Sequence, residues 1–394
     1  MDRENVFTHP VNSFDEWTRL REVIVGTPFS GDPQDVDLSF RVFFYDSISQ
    51  PRDFDVIYSA PAHSRETVIA EVRPATFRHK LRYLTELAED VDEFANSLSQ
   101  AGVVTHRPRM LADGIKRVVT PYWESSTWPA LNVRDRALIL GDEILETAPC
   151  IRGRYFEIDL LKEIFYGYFE QGSRWSAMPQ PIMTDRSFDL SYIRDGRVPP
   201  ASAEPVLDPQ PTPYDIGYEI MIDGAQCIRF GQDILVNVAN HNHELALRWL
   251  ERHCHGRFRF HRVYRMADNH IDSRILPLRP GLLLLRNPQV RELLPPALKK
   301  WDVIYPPPPD DSLFPTYDDD DLVLASQFID MNVLSIDEST VVANSLNPGL
   351  MRVLEKAGFT IVPVRHRHRR LFSGGFHCFT LDTVRDGMNE NYLS

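Results

Sequence analysis

One order of elements, strand, turn, strand, helix, strand, recurs along this chain, and a repeat of that kind restricts the fold more than any single motif does. The clearest copy lies in the last third. Met331-Asn-Val-Leu-Ser-Ile-Asp reads as a strand, Asp337-Glu-Ser as a turn and Thr340-Val-Val-Ala as a second strand. Leu350 to Ala357 then reads as an amphipathic helix and Phe359-Thr-Ile-Val-Pro-Val as a third strand. Gly358 stands where a helix takes its left-handed cap. The order returns from Cys227 through Ile234-Leu-Val-Asn, a helix near Glu244 to His253, and Phe258 to Tyr264. A third copy runs from Ile275 through Leu282-Leu-Leu-Leu, a helical stretch near Arg291 to Lys300, and Trp301 to Tyr305. Glu22-Val-Ile-Val-Gly and Ala137 to Glu146 read as the opening strands of two more units. Five such α/β units in a ring would set short sheets around an axis and bring strand ends and loops to one cavity, as in a propeller.

A chain of 394 residues is long enough for two or three ordinary domains, but a repeat architecture can make it one, spanning residues 1–394. Two polar, proline-bearing stretches, near 185–214 and 306–321, read as surface inserts. The second carries four prolines in a row and six aspartates, the composition of a solvated loop rather than a timed calcium loop. A net charge of −13 argues against a nucleic-acid partner and against an anionic membrane surface. The first residues show no cationic stretch leading into an apolar one, and no run of about 18 apolar residues occurs, so a cytoplasmic location is expected. The four cysteines form no CxxC pair, which removes the usual zinc clip and redox dithiol.

Cys378 is the cysteine with an unusual setting, because it follows closely on two glycines in Gly374-Gly-Phe-His-Cys and its backbone could approach a ligand. A nucleophilic thiol also needs a base or a cation nearby. His377 is adjacent, but in a strand it would point to the opposite face. His270 precedes a strand, where it would share a face with Asp272 by the two-residue period; taken alone, a histidine so placed is more often structural or solvent-facing than catalytic. Asp223 sits among small residues in Ile222-Asp-Gly-Ala-Gln and could be a buried partner carboxylate or a turn aspartate. Asp135, between Arg134 and Arg136, could hold a ligand or complete a structural ion pair.

Taken in order, Val11-Asn-Ser-Phe-Asp-Glu-Trp, Glu22 to Gly26, Asn132-Val-Arg-Asp-Arg, Arg154-Tyr-Phe-Glu, His270-Ile-Asp, Arg279-Pro-Gly-Leu, Met331-Asn-Val-Leu and Gly374-Gly-Phe-His-Cys resemble the amidinotransferase family across nearly the whole chain. The resemblance implies a fivefold pseudosymmetric, pentein-type α/β propeller of ββαβ modules with the site on its axis. It implies Cys378 as nucleophile, His270 as general acid and base, and Asp223 as its partnering carboxylate. Asp135 and Asp272 match carboxylates that hold the guanidinium, Ser326 a serine near the substrate carboxylate, and an arginine gripping that carboxylate falls near Arg291. The implied reaction moves the amidino group of L-arginine to a primary amine through an amidino-cysteine, with no metal or organic cofactor. Guanidine hydrolysis by the same thiol, or a non-catalytic binding role of the same fold, are the alternatives, and a homodimer stays open. Where the family often reads a second aspartate, this chain has Gln226. A basic cluster, Arg365 to Arg370, marks either a site for an anionic group on the acceptor or a loop facing the acidic run.

Overall fold

In the computed structural model, which describes residues 7, 9–44, 76–189, 215–267, 269–318 and 321–393, branched and apolar runs separated by a tight glycine turn pair antiparallel. Ala137–Leu140 pairs with Glu143–Glu146, Cys227–Phe230 with Asp233–Val238, and Ile275–Arg279 with Leu282–Leu285. Gly141, Gly231 and Gly281 sit between these partners at φ of 63, 70 and 83°, a region that costs a residue with a Cβ. Leu334–Asp337 and Thr340–Asn344 form a fourth antiparallel pair. In each unit a helix then leads to a third strand, parallel to the second: Arg174–Ala177, Arg259–Tyr264, Asp302–Ile304 and Thr360–Val364. Parallel neighbours need such a crossover.

A fifth three-stranded sheet is assembled from both ends of the chain. Leu20–Val25 is its central strand, paired antiparallel with Thr380–Arg385 and parallel with Val104–His106. The run at Glu22 is therefore a middle strand, not an opening one, and the C-terminal strand supplies the missing first position. The third unit also departs from its sequence pattern. Its helix spans only Pro288–Leu293, because Pro295 and Pro296 follow and cannot continue the amide ladder. A short turn, Leu298–Lys300, replaces the rest.

Apolar clusters join neighbouring units rather than filling each one separately. Ile228, Phe230 and Leu235 pack with Leu276, Leu283 and Leu285, and with Val341 and Leu350 of the next unit. The helix Leu81–Gln100 buries Leu87, Val91, Phe94 and Leu98 against Val23, Val342, Val364 and Phe376. Each such side chain contributes roughly 1.5–3 kcal/mol of burial. Of the stretch at 185–214, residues 190–214 lie outside the described residues. The 306–318 stretch is anchored, with Phe314 under the Arg369 guanidinium at 3.3 Å. Among the described residues no helix is long and apolar enough to cross a membrane.

The feature that positions chemistry is the turn entering the first strand of each unit. Val133–Asp135, Gly224–Gln226, Ile271–Ser273 and Gln327–Met331 are short 3-10 turns at four of these entries. The turn at 376–379 occupies the fifth. Neighbouring entry turns pack on one another. The candidate residues all belong to this set except Arg291.

Candidate active site

Asp223 and His270 each occupy the residue just before their turn, with extended backbone, while Asp135 closes its turn and Asp272 lies inside one. His270 and Asp272 therefore converge through a tight 3-10 turn, not by the alternation of a strand. Gly224 allows the approach, since a Cβ there would meet the Arg134 carbonyl oxygen at 2.3 Å. Gly374 and Gly375 have the same use. A Cβ on them would meet Asn132 Oδ1 and the Asn332 side chain, each at 2.7 Å, so these glycines seat the Cys378 turn on two asparagines. Asn332 then ties two turns together, accepting from the Cys378 backbone N–H (2.8 Å) and donating to the Asp272 carbonyl (3.2 Å).

Cys378 Sγ lies 3.3 Å from Asp272 Oδ2. The ligand atoms of Cys378, Asp272 and His270 all fall within 4.8 Å of one another, as do those of His270, Asp135 and Asp223. On its other side, His270 Nε2 is 3.1 Å from Asp223 Oδ2, and Nδ1 is 3.7 Å from Asp135 Oδ1. Arg154 pairs with Asp135 and holds Glu157 at 2.6 Å, so the Arg154-Tyr-Phe-Glu157 segment fixes that carboxylate from behind. The five residues Cys378, His270, Asp223, Asp135 and Asp272 thus form one buried constellation.

Burial sets the electrostatics. It disfavours a charged His270, yet Asp135 and Asp223 outweigh it and push the imidazole up to about 9. Burial also raises Asp135, with His270 and Arg154 only partly opposing it. Asp272 overcomes its burial through His377 and His270 and falls to about 2. Asp223 is lowered too, by His270 and Arg154 acting against burial. The Cys378 thiol is pushed well up by burial and by the negative charges of Asp272 and Asp135. Two carboxylate oxygens here, Asp135 Oδ1 and Asp272 Oδ1, are buried without any hydrogen-bond partner.

The remaining candidates separate. Ser326 caps its turn and accepts from Arg286 at 2.5 Å. Arg291 points its guanidinium at the Lys299 and Trp301 carbonyls (2.8 and 3.5 Å), so the arginine that reaches Ser326 is Arg286, five residues earlier. Arg286 directly follows the strand Leu282–Leu285, a position the sequence reading passed over. Four residues of the basic cluster at 365–370 are paired with acids of the fold. Arg365 pairs with Asp90 and Glu93, Arg367 with Glu89 and Asp90, His368 with Glu86, and Arg369 with Asp330. Arg370 instead donates to the Ala325 carbonyl at 3.0 Å. His377, set aside as a base, reaches Asp272 (2.8 Å) with Nδ1 and Glu16 (3.2 Å) with Nε2.

No family model matches the chain. Individual proteins do. The inosamine-phosphate amidinotransferase of Streptomyces griseus is 32% identical over 385 residues, covering 97% of this chain and 99% of the relative. Its solved structure superposes with a TM-score of 0.76 over 98% of this chain and 99% of that one. The L-arginine:L-lysine amidinotransferase of Pseudomonas savastanoi pv. phaseolicola is 29% identical over 396 residues, covering 98% and 97%. DDAH from Pseudomonas aeruginosa, 12% identical, shares the fold alone at a TM-score of 0.51 over 92% of this chain and 99% of that one. At this identity and coverage, the chain belongs to the amidinotransferases, transferases of amidino groups with an α/β fold.

Proposed function

We propose that the chain transfers the amidino group of L-arginine to a primary amine through a covalent adduct on Cys378, inside a single five-unit propeller domain. The observation that carries this reading is the pair of buried oxygens on Asp135 and Asp272 that accept no hydrogen bond, on carboxylates beside the Cys378 thiol and a charged imidazole. A guanidinium is planar, always cationic and rich in N–H donors, so it would satisfy both oxygens at once. Its charge would also offset the acids that hold the thiol protonated, so that the thiol loses its proton to solvent as the substrate binds and Sγ attacks as the thiolate, leaving the His270 proton for the departing amine.

In the first half-reaction the Sγ electron pair forms a bond to the guanidinium carbon. The carbon–nitrogen bond to ornithine breaks, and its electron pair leaves with a proton supplied by His270. A histidine raised to about 9 is charged at neutral pH and enters as the acid. In the second, the incoming amine bonds to the same carbon, the carbon–sulfur bond breaks, and the amine's proton passes to His270. Both steps reuse one site, so ping-pong kinetics follow. Cys378 is only 2% exposed, which suits an intermediate that water would otherwise hydrolyse.

Incubation with arginine, with and without a primary amine, tests this. Transfer gives an amidino adduct on Cys378 by mass spectrometry and ornithine in proportion to added amine. Rapid citrulline without amine would assign the chain to hydrolysis instead, and no adduct at all would overturn covalent catalysis.

A further inference from the structure

One aromatic side chain touches both the His270 imidazole and a cavity that can hold water. Phe43 ends the short helix Leu38–Phe43, and its ring meets the imidazole edge-on with centroids 5.2 Å apart. Asn269 ties the two backbones together, since its Nδ2 donates to the Phe43 carbonyl (3.4 Å) and its Oδ1 accepts the His270 N–H (2.7 Å). The helix itself is anchored to the fold. Asp37 caps its first turn, Ser39 Oγ accepts the Arg152 N–H at 2.9 Å, and Phe40 is fully buried against Phe44 and Trp128. Phe43 is therefore a fixed, half-buried ring beside a histidine that is only 8% exposed.

Phe43 also lines a cavity of about 30 Å³, together with Val42, Cys150, Asn240, Asn242 and His243. A water molecule needs roughly 10–15 Å³ by this measure, so the cavity has room for water and too little for a substrate. Its polar wall suits the same occupant. His243 Nδ1 accepts the Ala239 N–H at 3.2 Å, which leaves Nε2 as the donating nitrogen of a neutral ring. Burial, against the pull of Asp223, holds that imidazole down to about 4. The Asn240 amide and the Cys150 sulfur, 3.9 Å from His243 Nε2, belong to the same wall. Among the described residues none of His270, Asp223 or Cys378 is part of the lining, and Phe43 is the lining side chain whose ring also meets the imidazole.

Water at His270 would do what the amine does. Its oxygen would bond to the amidino carbon, and the carbon–sulfur bond would break with its electron pair returning to Sγ. One water proton would pass to His270 and the other to Sγ, and because ornithine has already left, the product would be urea. We infer that Phe43 sets the choice between amine and water: its ring seals His270 from the water-holding cavity, so that the adduct on Cys378 lasts until an amine arrives. The inference rests on the amidino-transfer reading.

The test loads the enzyme with arginine, removes ornithine by rapid gel filtration and adds no amine. The adduct on Cys378 is then followed by mass spectrometry while urea is assayed. The first-order rate of adduct loss does not depend on how much of a preparation is folded. F43A should shorten the lifetime of the adduct about ten-fold or more and release urea in step, because loss of the ring joins the cavity to the imidazole. F43M, whose flexible side chain can refill the gap, should stay within about three-fold of wild type. An unchanged lifetime in F43A, or adduct loss in F43M as fast as in F43A, overturns the role of Phe43 and leaves amidino transfer standing. So does an F43A chain that takes no adduct while wild type does, which would place Phe43 in the first half-reaction. A wild-type chain that never takes the adduct overturns both.

Discussion

Two buried charge clusters lie back to back in this protein, joined by His377, and they follow opposite rules. In the inner one, Arg134, Arg229 and Arg385 surround Glu16 and Asp382. Asp382 accepts from Arg134 (2.7 Å), Arg229 (3.0 Å) and Arg385 (2.7 Å), and Arg229 also grips Glu16 at 2.8 and 2.7 Å. Both carboxyls are held far down despite burial, Glu16 by Arg229 and Arg134, and Asp382 by Arg385 first. In the outer cluster Asp135 and Asp272 each keep an oxygen unmet. A buried group left without its bond costs about 1–3 kcal/mol. The inner acids therefore serve the fold, stitching the C-terminal strand to the units at 134 and 229, whereas each outer acid keeps one buried oxygen that accepts no hydrogen bond.

The largest effect expected from breaking the outer cluster is on chemistry alone. Cys378→Ala should lower ornithine release by about 10⁴-fold or more, as loss of a covalent nucleophile does elsewhere. Its thermal unfolding should stay near wild type, since the thiol donates no bond the inner cluster needs. An undiminished rate would place the reaction elsewhere.

Exchanging one acid in each cluster sharpens the contrast. Asp382→Asn leaves buried guanidinium charge uncompensated and should cost about 3–5 kcal/mol in denaturant unfolding. Asp272→Asn should cost far less stability, but raise the KM for arginine about 10–100-fold through loss of a charged hydrogen bond. If both variants lost stability equally, the division between fold and site would be wrong.

How much of this was legible beforehand follows from the same physics. Strands and their order could be read because hydrophobic period and glycine turns are local signals, and the unit at 331–364 matches its pattern within a few residues. That the chain's last strand fills the first place beside Leu20–Val25 is a pairing between distant residues, and no local pattern marks it. Cys378, His270 and the three aspartates came from motif resemblance, and the structure brings all five together. Asn332 was quoted within a motif but given no role, because a side chain that bridges two turns looks like any turn asparagine. Arg286 was missed for a similar reason: spacing pointed to Arg291, whereas side-chain reach selects the residue nearer Ser326.

A smaller effect is expected in the pH dependence of stability. The folded pKa of His270, about 9, lies above the unfolded value of about 6.5. Its stabilising contribution is therefore complete below about pH 6.5 and lost as pH rises through 9. Denaturant midpoints measured from pH 6 to 10 should fall across that window, and His270→Gln should flatten the fall. A wild-type curve that is level between 6.5 and 9 would mean that Asp135 and Asp223 do not hold the imidazole charged.

The smallest effect, and the one that tests the join between the clusters, belongs to His377. Its two ring nitrogens reach Asp272 and Glu16, so it holds in place the carboxylate proposed to bind the guanidinium. A positioning residue of this kind should act on arginine binding. His377→Gln can keep only one of the two contacts, so KM for arginine should rise several-fold, up to about ten-fold for one lost bond of about 1.4 kcal/mol. The basic limb of the kcat profile should not move, because His270 still carries the proton. A shifted limb, with kcat reduced as deeply as in His270→Gln, would make His377 a proton carrier and would merge the two clusters into one catalytic unit.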